Sequence, residues 1–498
     1  MKKLTPVFVI SVIITGIFIL WGILPNSNLD KVTSNIQGFL SEKFGWFYML
    51  SATLFLVFAI FLIFSKYGNI RLGKDEDRPS FSYITWFAML FSAGMGIGLV
   101  FWGVAEPISH YYDPPFIKGE TPEAARTAMR YSFFHWGLHP WAIYAVIGLA
   151  LAYFQFRKEQ PGVISSILRP IFGDKVNGPL GITVDVIAVF ATVFGVATSL
   201  GLGAVQISGG LSYTFSGVEN NFSTQLIIIA IVTVLFMLSA QTGINKGIKY
   251  LSNLNIILAV ALLIFFLFIG PTNFILDLFT TTLGSYLQNL PSMSFRLSPF
   301  KQNMTWFQDW TIFYWAWWIA WAPFVGTFIA RISKGRTIRE FVIGVLFVPT
   351  IFGALWFSVF GGTGIYLDFF KHKGLMDVIN SKGSEVALFT MFENFPFSSV
   401  LSIIAIFLIS TFFITSADSA TFVLGMQTTN GNLNPSNKIK FVWGLIQSGT
   451  AAILLWIGGL EALQRASIIA AFPFTIVMLL IVFSLIKSLK TDKLVAKK

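Results

Sequence analysis

The chain has 498 residues, 55% of them hydrophobic and only 11% charged, against about 25% charged in a soluble domain. So apolar a chain needs lipid as its outer solvent. With no Cys and four His it excludes disulfide frameworks, thiolate zinc sites and cysteine nucleophiles, and leaves little for a metal hydrolase.

Twelve apolar runs meet the ~20-residue length of a crossing: 6–25, 46–66, 81–108, 131–154, 181–203, 224–243, 250–270, 306–330, 340–364, 398–426, 439–458 and 465–488. The first follows Lys2 and Lys3, is longer than a signal-peptide core and lacks a small-residue cleavage site, so it reads as an uncleaved helix. Two stretches read as non-spanning: polar Thr121 to Arg130, and Pro271 to Leu290, whose mild amphipathy suits the outer interface.

The net charge of +11 does not form a stripe. Lys and Arg concentrate in alternate short loops, for example Lys66, Arg71, Lys74 and Arg78, then Arg331, Lys334, Arg336 and Arg339. The pattern reads as a topology signal that puts both termini in the cytoplasm of a cell-membrane protein, and it argues against nucleic acid as a partner. Membrane lipid is the expected surrounding partner, and the short basic tail fits anionic lipid.

The third and eighth runs stand apart. The third carries Gly94, Gly96 and Gly98 at alternate positions, and the eighth carries Pro323 and Gly326. Irregular backbone in mid-membrane is tolerated only where it lines a cavity. The two runs are five apart, so a second unit would run opposite to the first, and paired interrupted helices in inverted halves point to a transport site.

Six of the chain's 15 Trp fall within residues 306–321. At 100° per residue, Trp317, Trp318, Trp321, Phe324 and Phe328 share an arc of about 120°, with Trp315 on the far side. In the fourth run, Trp136, Trp141 and Tyr144 share about 140°. Two aromatic faces can enclose a methylated ammonium, which has no N–H and is held through ring quadrupoles at ~0.5–2 kcal/mol per contact. An interfacial Trp belt is the competing reading, but the run extends deep, toward Pro323. The glycine segment suits a carboxylate, because freed N–H groups at a helix break attract anions; close helix packing is its competing reading. Thr415 and Ser416 offer adjacent hydroxyls to a sodium ion, with main-chain carbonyls near Ser92 and Met95; Thr198 and Ser199 sit at the matching place in the fifth run. Such hydroxyls also commonly bond back to their own helix. Glu106, before Pro107, and His135 and His139 near Trp136 read as structural.

The run from Gly94 through Glu106-Pro107, and that from Asp309 through Trp317-Trp318-Ile-Ala-Trp321-Ala-Pro323 to Phe341, resemble the signatures of the betaine/carnitine/choline transporter family, nearest its glycine betaine carriers. The resemblance implies an all-α integral membrane fold of 12 transmembrane helices, with two inverted five-helix repeats of the LeuT-like kind after two N-terminal helices. The expected division is 1–80, 81–290 with an interfacial helix, 291–488, and a tail at 489–498. The resemblance further implies a substrate cage of Trp136, Trp141, Tyr144, Trp317, Trp318 and Trp321 with Phe328 on the path. It puts sodium at Met95, Phe412, Thr415 and Ser416, and a second sodium near Thr198 and Phe324. Gly at position 98, where proton-coupled choline carriers tend to have Asp, and the lack of Lys or Arg within 181–203 imply sodium coupling. No cofactor beyond the coupling Na+ and no enzymatic activity is expected, and family members are commonly homotrimers. The alternatives are a proton-coupled or ion-independent choline or carnitine carrier, a membrane enzyme, and a channel.

Overall fold

The structure is a computed structural model that describes residues 4–25, 27–94, 96–242, 245–301 and 303–492; the side chains of 91–94, 241–242 and 245–249 are outside the description. Each main helix begins where local chemistry permits. Helix α1 (Pro6–Ile23) has Thr5 capping the N–H of Phe8 and Pro at its first position, where a missing N–H costs nothing. Helix α2 (Leu29–Phe64) follows. The third apolar run is two helices, α3 (Tyr83–Gly94) and α4 (Ile97–Tyr112), divided at the glycines. Helices α5 (Pro122–Trp136) and α6 (Leu138–Ala152) meet at Gly137; the polar stretch 121–130 is thus the capped first half of α5.

Next come α7 (Pro179–Thr214), α8 (Phe222–Thr242) and α9 (Asn245–Ile269). Helix α10 (Thr272–Ser294) carries the mildly amphipathic stretch and packs against α5 and the long helix Ile338–Lys371. Helix α11 (Phe313–Ile332) is entered through a widened π-turn, Gln308–Ile312, that contains Asp309. Helix α12 (Ile338–Lys371) opens with a reciprocal Thr337/Glu340 capping box. Helices α13 (Ser398–Gln427) and α14 (Asn437–Lys490) complete the set.

Among the described residues, ten helical segments are long and apolar enough to cross a membrane. The count differs from the twelve apolar runs for two backbone reasons. The third run is divided into helices of 12 and 16 residues. Helix α14, 54 residues long, contains two runs joined through a kink at Gly458 and Gly459, the latter at φ 57°, a conformation that disfavours any side chain. The surface explains the composition. Ile13, Ile17 and Leu20 of α1 and Ile227, Ile231 and Val234 of α8 are all exposed, an arrangement stable in hydrocarbon but not in water.

Both ends of the described chain lie on one face. The Thr5 hydroxyl donates to Thr428 O at 2.6 Å, and Gly431 abuts the backbone of Gly162. Arg157, just beyond α6, binds Asp492 at 2.7 Å and Asp75 at 2.8 Å, while Arg71 pairs with Thr337 in an isolated antiparallel bridge. Inside, α11 lies against α6, α7 and α14, and α4 against α5 and α12. The last contact is close: a Cβ on Gly361 would stand 2.9 Å from Pro107 Cβ and 3.0 Å from Gly103 O. Gly361→Val should therefore cost about 1–3 kcal/mol through overpacking, read as a lower thermal midpoint of the detergent-solubilised protein; an unchanged midpoint would mean that α4 and α12 separate freely.

Candidate functional site

The aromatic faces on α5–α6 and α11 meet in the interior. Trp136, the last residue of α5, crosses Trp318 edge-to-face at 4.9 Å and Trp317 at 6.2 Å. Trp317 and Trp318 stack at 5.1 Å, and Tyr144 meets Trp318 at 5.9 Å. Trp141 reaches the group through Tyr144, at 5.6 Å. All five rings are buried. Trp315 points the other way, between Phe134 and His139, with its N–H toward Met49.

Indole N–H groups fix the rings. Trp318 Nε1 donates to His135 O at 3.0 Å, the carbonyl freed where α5 ends, and Trp321 Nε1 donates to Gly195 O at 2.6 Å on α7. Gly98 makes the close approach possible: a Cβ there would lie 2.6 Å from Trp317 Cη2 and 3.1 Å from Trp136 Cη2. A carboxylate at that position would therefore strike the rings. Just before it, α4 starts at Ile97 with Gly96 as a cap that supplies no side chain, so its first N–H groups are available to an anion.

In this structure the rings of Trp136, Trp317 and Trp318 touch one another, and open space begins one turn further on. A cavity of about 520 Å³ starts at Gly96, Trp321 and Phe412 and runs past Phe324 and Phe328 to Phe81 and Thr85. Phe81 O accepts from Arg336 on the face that carries the chain ends, so the cavity leads to that face. A second cavity, about 500 Å³, shares Phe324, Phe328 and Ser419 and includes Asp418 and Arg331. On the opposite side, Trp306 and Trp310 pack on His110 at 4.8 and 4.4 Å and close the way out.

Of the sodium candidates, Phe412, Thr415 and Ser416 line the first cavity together. The Thr415 hydroxyl donates back to its own helix, at Thr411 O (2.9 Å), and accepts from Asn255 Nδ2 at 3.3 Å. Ser416 Oγ faces Gly96, 3.9 Å from where a Cβ would stand. Met95 and the side chain of Ser92 lie outside the described residues, and Gly94 is placed by its backbone alone. Thr198 is tied at 2.9 Å each to Phe194 O, Leu463 O and Ser467 Oγ, while Phe324 packs on Trp321 at 5.5 Å.

Sequence reasoning passed over two neighbours, Tyr314 and Phe357, and gave a third, Glu106, only a structural reading. Tyr314 and Phe357 pack on Trp136 at 5.7 and 5.4 Å. Glu106 accepts from the Trp136 N–H at 2.8 Å and the Tyr314 O–H at 2.6 Å. Tyr314 was discoverable, being three and four residues before Trp317 and Trp318 on the same helix face, and a carboxylate inside an apolar run is itself a signal.

A membrane protein with a buried ring cluster beside a broken helix, approached by a cavity from one face, has the construction of a small-solute transporter. Comparison gives the family: residues 6–494 match the BCCT model, betaine/carnitine/choline family transporter, and the chain belongs to that family. It is 56% identical over 500 residues to the glycine betaine transporter OpuD of Bacillus subtilis (strain 168), covering 100% of this chain and 97% of that protein. It is 46% identical to a probable glycine betaine transporter of Desulfitobacterium hafniense (strain Y51), covering 99% and 98%. It is also 46% identical to an ectoine/hydroxyectoine transporter of Virgibacillus pantothenticus, covering 97% and 96%.

Gly98→Ala should push Trp317 off Trp136. The expected outcome is a stability loss of about 1–3 kcal/mol with a shifted intrinsic tryptophan emission; an emission spectrum identical to wild type would show that the rings do not depend on the missing Cβ.

Proposed function

We propose that the protein takes up glycine betaine by alternating access, driven by sodium. The observation that carries the reading is the convergence of Trp136, Tyr144, Trp317 and Trp318 beside the uncapped start of α4. Indole faces suit the trimethylammonium group, at ~0.5–2 kcal/mol for each contact, and main-chain N–H groups suit the carboxylate. The rings touch in this structure, so substrate entry has to part them, and we read this state as open toward the cytoplasm with the outer path shut by Trp306 and Trp310. The arginines and lysines on the face of the chain ends support a cytoplasmic assignment of that face.

In this reading twelve segments cross the membrane: the ten long helices, with α14 counted as two and α3 with α4 as one. Two opposed five-helix units follow α1 and α2, and three chains assemble together; the mass of the detergent-solubilised complex checks the assembly. Sodium sits between Phe412, Thr415, Ser416 and carbonyls at the end of α3. A second ion at Thr198 would require its three present hydrogen bonds to be exchanged. The membrane potential contributes about 2.3 kcal/mol per charge for each 100 mV.

Sodium coupling is tested by uptake of labelled betaine into proteoliposomes, with choline, carnitine, proline and ectoine as competitors. Replacing sodium by potassium should abolish accumulation; undiminished uptake would leave a proton-coupled carrier or an ion-independent exchanger, and stronger competition by ectoine would move the substrate assignment. In the same assay, Trp318→Ala should raise the apparent KM at least about tenfold, on loss of a desolvated cation–π contact. Trp315→Ala should change KM far less, while costing about 3–5 kcal/mol of stability as a buried large-to-small substitution. Equal effects on KM would undo the assignment of the cage.

A further inference from the structure

Glu106 is fully buried in α4 and has no Lys or Arg partner among the described residues. Its two oxygens face four polar groups from three helices and their neighbours. Oε2 accepts from Trp136 Nε1 at 2.8 Å and from the Tyr314 hydroxyl at 2.6 Å. Oε1 meets His135 Nδ1 at 2.7 Å and His110 Nε2 at 3.2 Å. The imidazole protons are assigned from this network. His135 Nε2 lies 2.9 Å from the Thr311 hydroxyl, which can donate to it. His110 Nδ1 is buried without a partner, so a second proton there would be an unpaired buried N–H, which is costly.

The consistent assignment is two neutral imidazoles, each donating one N–H, and a carboxylate that accepts four hydrogen bonds. A carboxylic acid proton would have to displace one of those donors. With that assignment the cluster carries one negative charge, satisfied by hydrogen bonds but not neutralised. His110, Glu106 and His135 do place ligand-type atoms within 4.8 Å of one another, but these atoms are engaged with each other.

That charge is bonded to the edge of a cage ring. An indole whose N–H donates to an anion gains electron density on its faces, and Trp is already the best ring for a cation. We infer that Glu106 is a positioning residue of the cation site: an ionised carboxylate that holds Trp136 against Trp317 and Trp318 and selects an occupant with its positive end toward those rings. The inference rests on the betaine reading and extends it to orientation. Betaine would lie with its ammonium toward Trp136 and its carboxylate repelled toward the start of α4. At an effective dielectric of about 20 and a separation of about 10 Å, the attraction is worth on the order of tenfold in affinity.

The test compares glycine betaine with 3,3-dimethylbutanoate, its carbon isostere, which keeps the shape and the carboxylate but loses the ammonium charge. Binding to the purified full-length protein is followed by tryptophan fluorescence. Glu106→Gln should reduce the preference for betaine over the isostere on the order of tenfold, and should move the indole ¹⁵N signal assigned to Trp136. Glu106→Asp, which keeps the charge, should retain most of the preference. If Glu106→Gln weakens both ligands alike, the residue only supports the fold and the inference is overturned. An unchanged preference overturns it as well. Isotope-edited infrared difference spectra between wild type and Glu106→Asp give a reading even where the Gln variant does not fold; a carboxylic acid band from Glu106 at neutral pH would sink the inference. Wild-type protein that binds no betaine would remove the functional reading and this inference together.

Discussion

In hydrocarbon, a peptide N–H or C=O without a partner costs several kcal/mol, so a helix can stop in mid-membrane only where something else meets its ends. That constraint organises this molecule. The backbone is interrupted between α3 and α4, at Gly137 between α5 and α6, and at Gly458 and Gly459 in α14. The first two interruptions flank the ring cluster. The end of α5 releases the His135 carbonyl, which takes the Trp318 N–H. The start of α4 leaves main-chain N–H groups uncapped by any side chain. Broken helices thus supply both the fixing of the rings and the polar counterpart to them.

The rings close the middle of the protein, and in the proposed reading they also hold the substrate. Packed edge-to-face, Trp136 and Trp318 fill the middle of the protein. Parted, the same faces present the kind of surface on which a hydrated ion gains little and a methylated ammonium gains much. In the betaine reading proposed above, a plug built from the binding faces would yield to a matching cation rather than to water. The cavity from the face of the chain ends stops at Trp321, and on the other side Trp306, Trp310 and His110 interlock.

Much of this was legible in the sequence because helical periodicity projects directly into space. Trp317, Trp318 and Trp321 share a face, and Trp315 does not, from spacing alone. The alternate glycines announced an interruption, and the amphipathic stretch after Pro271 became α10, which is not among the spanning helices. What stayed hidden depends on contacts between distant segments. Glu106 reads as an end-of-helix residue until His135, Trp136 and Tyr314 arrive from 29, 30 and 208 positions away. Thr198 looks like a free hydroxyl until Leu463 and Ser467 fold onto it. The division between the last two apolar runs was legible as well, since the backbone leaves the helix at Gly458 and Gly459, where the first of them ends.

Helix α7 has a property that concerns its surroundings. Its 36 residues span about 54 Å at 1.5 Å per residue, against a hydrocarbon slab about 30 Å thick. Such a rod has to lean or project beyond the slab. Gly195, near its midpoint, accepts the N–H of Trp321 at the head of the cavity. The helix that must lean or project is thus the one that fixes the ring at the head of the cavity, so slab thickness and ring position bear on a single rod.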